Sequence, residues 1–370
     1  MRGSRRHGRS ELYIGLMSGT SLDGVDVALV DLRSRPLLLG TVFVPYPGEL
    51  RTVLLALQSP SRDELHQACV VGVRLARLYA GAVSRLLRKC RVSPRLVRAI
   101  GCHGQTVRHL PESGYTVQIG NPAALAERTG IPVVADFRSA DIAAGGQGAP
   151  LVPAFHAEVF RNSGVHRVIV NLGGIANLTD LPRRGPVTGF DTGPGNVLLD
   201  AWIGWRSGEN LDRGGALASR GRPKEQLLKA LLADPYFRRS PPKSTGRDHF
   251  NLDWLRRFGV ARFNTEDVQA TLAELTARSI GSAVARFCPG AREVYLCGGG
   301  ARNSDLVQRI ARALPAMTIA STARLGIHPD WVEAMAFAWL AQRRLRDKAG
   351  NLPEVTGARK ARVLGAIYAA

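Results

Sequence analysis

Asp191 stands in Gly189-Phe190-Asp191-Thr192-Gly193-Pro194-Gly195-Asn196, where an apolar segment gives way to a glycine-rich turn. A carboxylate so placed can act as a general base beside a nucleotide's terminal phosphate. It can equally cap the helical run that begins at Val197. What turns the reading toward chemistry is the company it keeps. Near the start of the chain, Met17-Ser18-Gly19-Thr20-Ser21-Leu22-Asp23-Gly24-Val25-Asp26 separates two apolar runs, residues 13–16 and 25–30. Gly19 and Gly24 let several N–H groups face one point, the hydroxyls of Ser18, Thr20 and Ser21 add donors, and Asp23 or Asp26 can hold a water on Mg²⁺. Taken alone, the segment is also an ordinary hairpin turn. Recurrence argues for phosphate. Residues 168–170 run into Asn171-Leu172-Gly173-Gly174-Ile175-Ala176-Asn177, and residues 294–296 run into Cys297-Gly298-Gly299-Gly300-Ala301-Arg302-Asn303. Backbone that approaches a nucleotide closely needs glycine, and an incidental turn would not be echoed in this way.

Three further polar positions bear on the site. His103, after an apolar strand and before Gly104, reads first as a hydrogen-bonded structural residue and second as a catalytic one. Glu333 lies on an otherwise apolar helix, so its carboxylate requires either a ligand or an internal ion partner. Lys243-Ser244-Thr245-Gly246-Arg247 has the composition of a phosphate loop without its Gly-x-x-x-x-Gly-Lys order, and no protein-kinase signature is present.

The elements that must position these residues alternate between β and α patterns. Residues 13–16, 25–32 and 36–44 read as a strand meander, residues 51–57 and 63–87 as helices, residues 97–102 as a strand, and residues 115–118 and 131–136 as short strands around a helix at 123–128. Gly145-Gly146-Gln147-Gly148 marks a loop or hinge. From Val168 the strand, turn and strand pattern restarts, which implies two related α/β lobes with a cleft between them. The expected division is a disordered basic extension at 1–11, a first lobe at 12–140 with 351–370 packing back on it, and a second lobe at 141–350.

A chain of 370 residues is too long for one core. No apolar stretch approaches a membrane span, the first ten residues lack the apolar core of a secretory signal, and the five scattered cysteines fit reduced thiols in a cytoplasm. The net charge of +20 invites a nucleic-acid reading. It is set aside because the arginines are spread along the chain without interleaved aromatics, as on a solvated surface. Neither nucleic acid nor membrane is an expected partner.

Taken together, the segments at 17–26, 101–106, 145–156, 190–196 and 267–276 occur in the order seen in the anhydro-N-acetylmuramic acid kinases, and the chain resembles that family from about Tyr13 to Tyr368. The resemblance implies a two-lobed, ribonuclease H-like fold of the sugar kinase, actin and Hsp70 type, with ATP and Mg²⁺ between the lobes. It implies that water opens the 1,6-anhydro ring while the γ-phosphoryl group passes to O6, giving N-acetylmuramic acid 6-phosphate during cell-wall recycling. By position it makes Asp191 the catalytic aspartate. It makes Gly19, Thr20, Ser21, Leu22, Asp23, Gly24, Val25 and Asp26 the ATP phosphate loop, with Asp23 on Mg²⁺ through water. Asn171, Gly173, Gly174, Gly298, Gly299, Gly300 and Asn303 become further ATP-side residues, and Thr106, Arg138 and Glu333 sugar contacts, with Arg138 suited to the lactyl carboxylate. It also implies a homodimer. The alternatives are a kinase of another sugar hydroxyl on the same scaffold, or an Hsp70- or actin-like ATPase module.

Overall fold

The computed structural model describes residues 11–19 and 21–370. Residues 1–10, which carry most of the expected basic extension, and Thr20 of the expected phosphate loop lie outside the described residues. Glu11 is already tied down, since its carbonyl accepts from the Leu32 N–H at 3.0 Å and its carboxylate accepts from Arg346 at 3.0 Å.

Two sheets share one topology. The first contains β1 (Leu12–Met17), β2 (Gly24–Asp31), β3 (Leu37–Pro45), β4 (Val97–Cys102), β7 (Val133–Ala135) and β13 (Ala366–Tyr368), in the order β13-β7-β4-β1-β2-β3. The second contains β8 (Arg167–Leu172), β9 (Ile175–Leu181), β10 (Thr188–Pro194), β11 (Glu293–Cys297) and β12 (Thr318–Ser321), in the order β10-β9-β8-β11-β12. In each, the first three strands form an antiparallel meander, the fourth pairs in parallel with the first, and the fifth pairs in parallel with the fourth. The central strands are buried on both faces, which is why LYIGLM and RVIVNL read as nearly continuous apolar runs instead of alternating. A separate hairpin, β5 (Gln105–Leu110) with β6 (Tyr115–Ile119), stands beside the first sheet.

The helices are α1 (Gly48–Ala56), α2 (Glu64–Cys90), α3 (Pro122–Thr129), α4 (Ser139–Ala143), α5 (Val152–Phe160), α6 (Val197–Ser207), α7 (Glu225–Leu232), α8 (Leu252–Arg256), α9 (Thr265–Phe287), α10 (Ser304–Ala313), α11 (Val332–Leu345) and α12 (Pro353–Thr356). The helices α1, α2 and α3 cover one face of the first sheet, and α9 and α10 cover one face of the second. Between β10 and β11, α6, α7, α8 and part of α9 form a helical insertion with its own core around Trp202, Phe250 and Trp254.

The inner faces of both sheets meet in one apolar cluster through α5 and α11. Helix α11 falls within the stretch expected to belong to the second lobe, yet it lies on β1, β4 and β2 of the first. The reason is steric. Gly15 and Gly101 are register partners on β1 and β4, and a Cβ on either would overlap the carbonyl oxygen of Ala334 or Phe337. Two bare positions thus let a helix backbone rest directly on the sheet, and the first turn of that helix carries Glu333. β13 closes the first sheet by pairing antiparallel with β7.

Candidate active site

Asp191 sits within β10, not after it, because the strand continues to Pro194. Opposite β9 the register shifts between Asp191 and Gly193, a bulge that breaks the regular alternation of side chains beside Asp191 before pairing resumes through Pro194. The Asp191 side chain is not a helix cap. Its Oδ2 accepts from the Thr245 N–H at 3.0 Å, its own N–H donates to the Lys243 carbonyl at 3.2 Å, and its carbonyl accepts from the Tyr236 hydroxyl at 2.7 Å. Burial pushes the carboxyl up to about 7, against the pull of the Thr245 N–H, Arg138 and Lys243. A base poised at that value is half ionised near neutral pH, where proton transfer is most effective.

Arg138, just before α4, is held as a fork. Its Nη1 donates to the Gly148 carbonyl at 2.7 Å, and its Nε and Nη2 face His103 Nε2 at 3.2 and 2.9 Å. His103 Nδ1 in turn donates to the Ser18 carbonyl at 3.2 Å. Burial first, then the Arg138 charge, pulls His103 down to about 3, so the ring is neutral and serves as a spacer between the phosphate loop and the arginine. The Ser18 hydroxyl donates to the Gly104 carbonyl at 2.8 Å, and Gln105 Nε2 donates to the Gly19 carbonyl at 3.1 Å, so the strand end at 102–105 braces the loop.

Within that loop, Leu22 has a positive φ of 57° and Ser21 donates to Asp23 Oδ1 at 2.8 Å. Asp26 lies behind it on β2. Burial, with Asp23, Glu333 and Asp330 adding, pushes its carboxyl up to about 8, while Arg302 opposes. Glu333 is raised by burial and restrained by a hydrogen bond with Asn171 and by the Arg138 charge. Arg138 itself feels Glu333, Asp191 and Asp141. The structure therefore gathers Asp23, Asp26, Asn171, Arg138, Glu333 and Asp191 into one chain of interacting groups.

The glycine turns serve partly as scaffolding. The carbonyls of Gly173 and Gly174 accept from the N–H groups of Asn196, Gly195 and Val197 and so pin the start of α6. Gly298 sits at φ 79°, and a Cβ there would overlap Asn171 Oδ1; a Cβ on Gly300 would meet Leu172, whereas Gly299 faces open space. Asn303 Oδ1 accepts from the Leu306 N–H at 3.0 Å and caps α10, which commits that oxygen to the helix. Thr106 stands off on the hairpin, its hydroxyl accepting from Gln118 at 3.2 Å and its carbonyl from Gln58 at 3.0 Å.

Sequence reasoning missed the cradle around Asp191. Lys243 and Thr245 belong to the segment that lacked P-loop order, and its role lies in the folded arrangement. Lys243 Nζ donates to the Tyr236 carbonyl at 3.3 Å and lies 4.6 Å from the centre of the Tyr236 ring. Ser244 donates to Gln147 Oε1 at 3.2 Å, joining this cradle to the 145–148 loop. That loop is anchored by Asp141, which accepts from the Gly148 N–H, Asn351 and Thr356.

Two α/β sheets that share a five-strand order, the first extended by β13, bring a buried carboxylate and glycine-rich turns near one another, and the family that follows makes the chain a kinase. Residues 11–370 match the anhydro-N-acetylmuramic acid kinase family. Curated relatives of that name include those of Thiobacillus denitrificans (55% identical; 98% of each chain covered), Nitrosospira multiformis (53%; 98% of this chain and 100% of the relative) and Pseudomonas paraeruginosa (54%; 97% and 99%). The chain belongs to the anhydro-N-acetylmuramic acid kinase family.

Proposed function

We propose that the protein phosphorylates 1,6-anhydro-N-acetylmuramic acid at O6 with ATP while water opens the anhydro ring, yielding N-acetylmuramic acid 6-phosphate and ADP for cell-wall recycling. The observation that carries this reading is the Asp191 carboxylate, buried, oriented by the Thr245 N–H and poised near 7. Asp191 takes a proton from the water that attacks the anomeric carbon. The bond from that carbon to O6 breaks, and O6 meets the γ-phosphorus as its bond to the bridging oxygen of ADP breaks. An ether oxygen is a poor nucleophile, and its release on this path is matched to its capture by phosphorus.

The residues fit the two groups that the reaction requires. Burial first, with the charges of Asp23, Glu333 and Asp330 adding to it, pushes Asp26 up to about 8, and a cation at this donor set would relieve the charge part. Among the described residues no three His, Cys, Asp or Glu side chains converge as a direct metal cage. One or two carboxylates acting through water, completed by phosphates, is the way Mg²⁺ is usually held. Asp23 and Asp26 would hold it, and when bound it neutralises charge on the β- and γ-phosphates. Residues 19–26 would cradle the triphosphate, with Asn171, Gly173, Gly174 and residues 298–300 and 303 on the nucleotide side. Arg138 and Glu333 would meet the sugar, with Thr106 at the outer rim.

Among the described residues no helix is long and apolar enough to cross a membrane. The proposal places the reaction in the cytoplasm, where ATP is supplied, in a homodimer that sedimentation velocity would detect. The first lobe is proposed to comprise 12–140 with α11 and 351–370 added to it, and the second the intervening chain. Turnover in ¹⁸O-water tests the chemistry. The label is expected on C1 of a product that has gained water as well as phosphate. A product that has gained phosphate alone would replace this reading with transfer to an ordinary hydroxyl.

A further inference from the structure

Two arginines to which the site described above gives no role come together near Asp200 and Asp23 from opposite lobes. Arg51, on α1 of the first lobe, donates from Nη1 to Asn210 Oδ1 at 2.7 Å, just past α6 of the second. Arg247 lies two residues beyond Thr245, the residue whose N–H holds Asp191. The Nε atoms of both arginines and the Thr245 hydroxyl are closed off from solvent without a hydrogen-bond partner. The acidic groups nearby are Asp200 on α6, Asp23 of the phosphate loop and Asp212. Asp212 is already engaged with the Leu217 and Ala218 N–H groups at 2.8 and 2.9 Å. Burial first, with Asp23 and Asp212 adding to it, pushes Asp200 up to about 7 against Arg247 and Arg51, so this carboxyl is only partly ionised at neutral pH. Burial disfavours the Arg247 charge foremost, and Arg51 adds to the effect, while Asp200 and Asp23 support it.

Buried guanidinium donors without acceptors are costly, and here one such donor from each lobe and the unpartnered Thr245 hydroxyl lie in one neighbourhood. An oxyanion supplies the missing acceptors, because its several lone pairs accept from two planar forks at once. Asp23 on one side and Thr245 with Asp191 on the other fix where such an anion would lie, between the loop proposed for the triphosphate and the proposed base. We infer that Arg51 and Arg247 form a two-armed seat, one arm from each lobe, for an oxyanion of the reacting complex, either the phosphoryl group in transfer or the carboxylate of the sugar's lactyl ether. The inference rests on the function proposed above and adds to it the residues that receive this charge. A phosphoryl group in transit spreads charge over its equatorial oxygens, and cationic forks at that point stabilise it.

The test compares the wild type with Arg247→Met, Arg247→Lys and Arg51→Met. It reads kcat, the affinity for the non-hydrolysable ATP analogue AMPPNP, and the affinity for 1,6-anhydro-N-acetylmuramic acid by calorimetry. A roughly tenfold to hundredfold loss in kcat or AMPPNP affinity, with sugar affinity kept, assigns the seat to the phosphoryl group. A comparable loss in sugar affinity alone assigns it to the carboxylate. Values for both Met variants within about threefold of wild type on all three readouts overturn the inference. If Arg247→Met does not melt cooperatively, Arg51→Met and Arg247→Lys carry the comparison. Arg247→Lys, which keeps the charge but not the fork, is expected to fall between wild type and Arg247→Met, and Arg51→Met is expected to change in the same direction as Arg247→Met. A wild type that binds AMPPNP but does not turn over the anhydrosugar would instead sink the proposed reaction.

Discussion

Asp191→Asn removes the base while keeping its shape, and the pocket around it sets two magnitudes. The first concerns rate. With the carboxyl poised at about 7, kcat/KM of the wild type tracks the ionised fraction, about half at pH 7, about a tenth at pH 6 and about nine tenths at pH 8. Asparagine cannot take the proton, so turnover should fall by about 10²- to 10⁴-fold at every pH and the acid limb should disappear. The second concerns stability of the ligand-free protein. A carboxyl raised in the folded state favours folding while it is protonated, and that contribution is lost as pH climbs from about 4 through 7. Keeping the carboxyl ionised at pH 8 therefore costs up to about 4 kcal/mol relative to the unfolded chain. Asparagine carries no such cost, and its Oδ1 can still accept from the Thr245 N–H. The variant should gain on the wild type in melting temperature by several degrees between pH 5 and pH 8, with no further gain above that. Coupled ADP release from pH 5.5 to 8.5 and thermal melts across the same range are the assays. A wild-type kcat/KM that stays flat down to pH 5, or a variant within tenfold of wild type, would refute the reasoning.

Three further perturbations bear on the same architecture. Lys243→Met removes a charge that holds Asp191 down, so the acid limb of kcat/KM should move to higher pH while Lys243→Arg restores it; an unmoved limb would show that the ammonium does not act on the base. Gly15→Ala forces a methyl group into the Ala334 carbonyl and should cost about 3 kcal/mol or more, read by chemical denaturation, with a loss below 1 kcal/mol counting against the direct seating of α11. Arg138→Lys surrenders the fork shared by Gly148 and His103, and should lower kcat/KM for the anhydrosugar by about ten- to a hundredfold while AMPPNP affinity stays within threefold, as titration calorimetry would register.

The parts of this molecule that announce themselves in sequence are local ones. The turn between β1 and β2, the Gly173-Gly174 turn and the run from β11 through Gly298 to α10 each fit in a short window, and their repetition revealed two related lobes. Asp191 was legible because its neighbours are glycines. Its cradle was not, since Lys243 and Thr245 reach it only after the chain has passed through α6 and α7, and their spacing from Asp191 carries no periodic signal. The placement of α11 was misjudged from chain order, although a signal existed in Gly15 and Gly101, each set inside an apolar strand where only close approach of another backbone explains the missing side chain. Asn303 shows a second role that its place after a glycine turn did not announce, since the helix behind it engages the side-chain oxygen.

The first sheet borrows both a flank and an edge from parts of the chain made much later. Helix α11 roofs its glycine-paved face and β13 pairs with β7, with the entire second sheet encoded in between. During synthesis the amino-terminal half thus emerges with an open strand margin and an unroofed apolar surface, and it must await the carboxy-terminal residues before its own architecture is finished. Strand and roof together act as a stitch, making the stability of either half depend on the other.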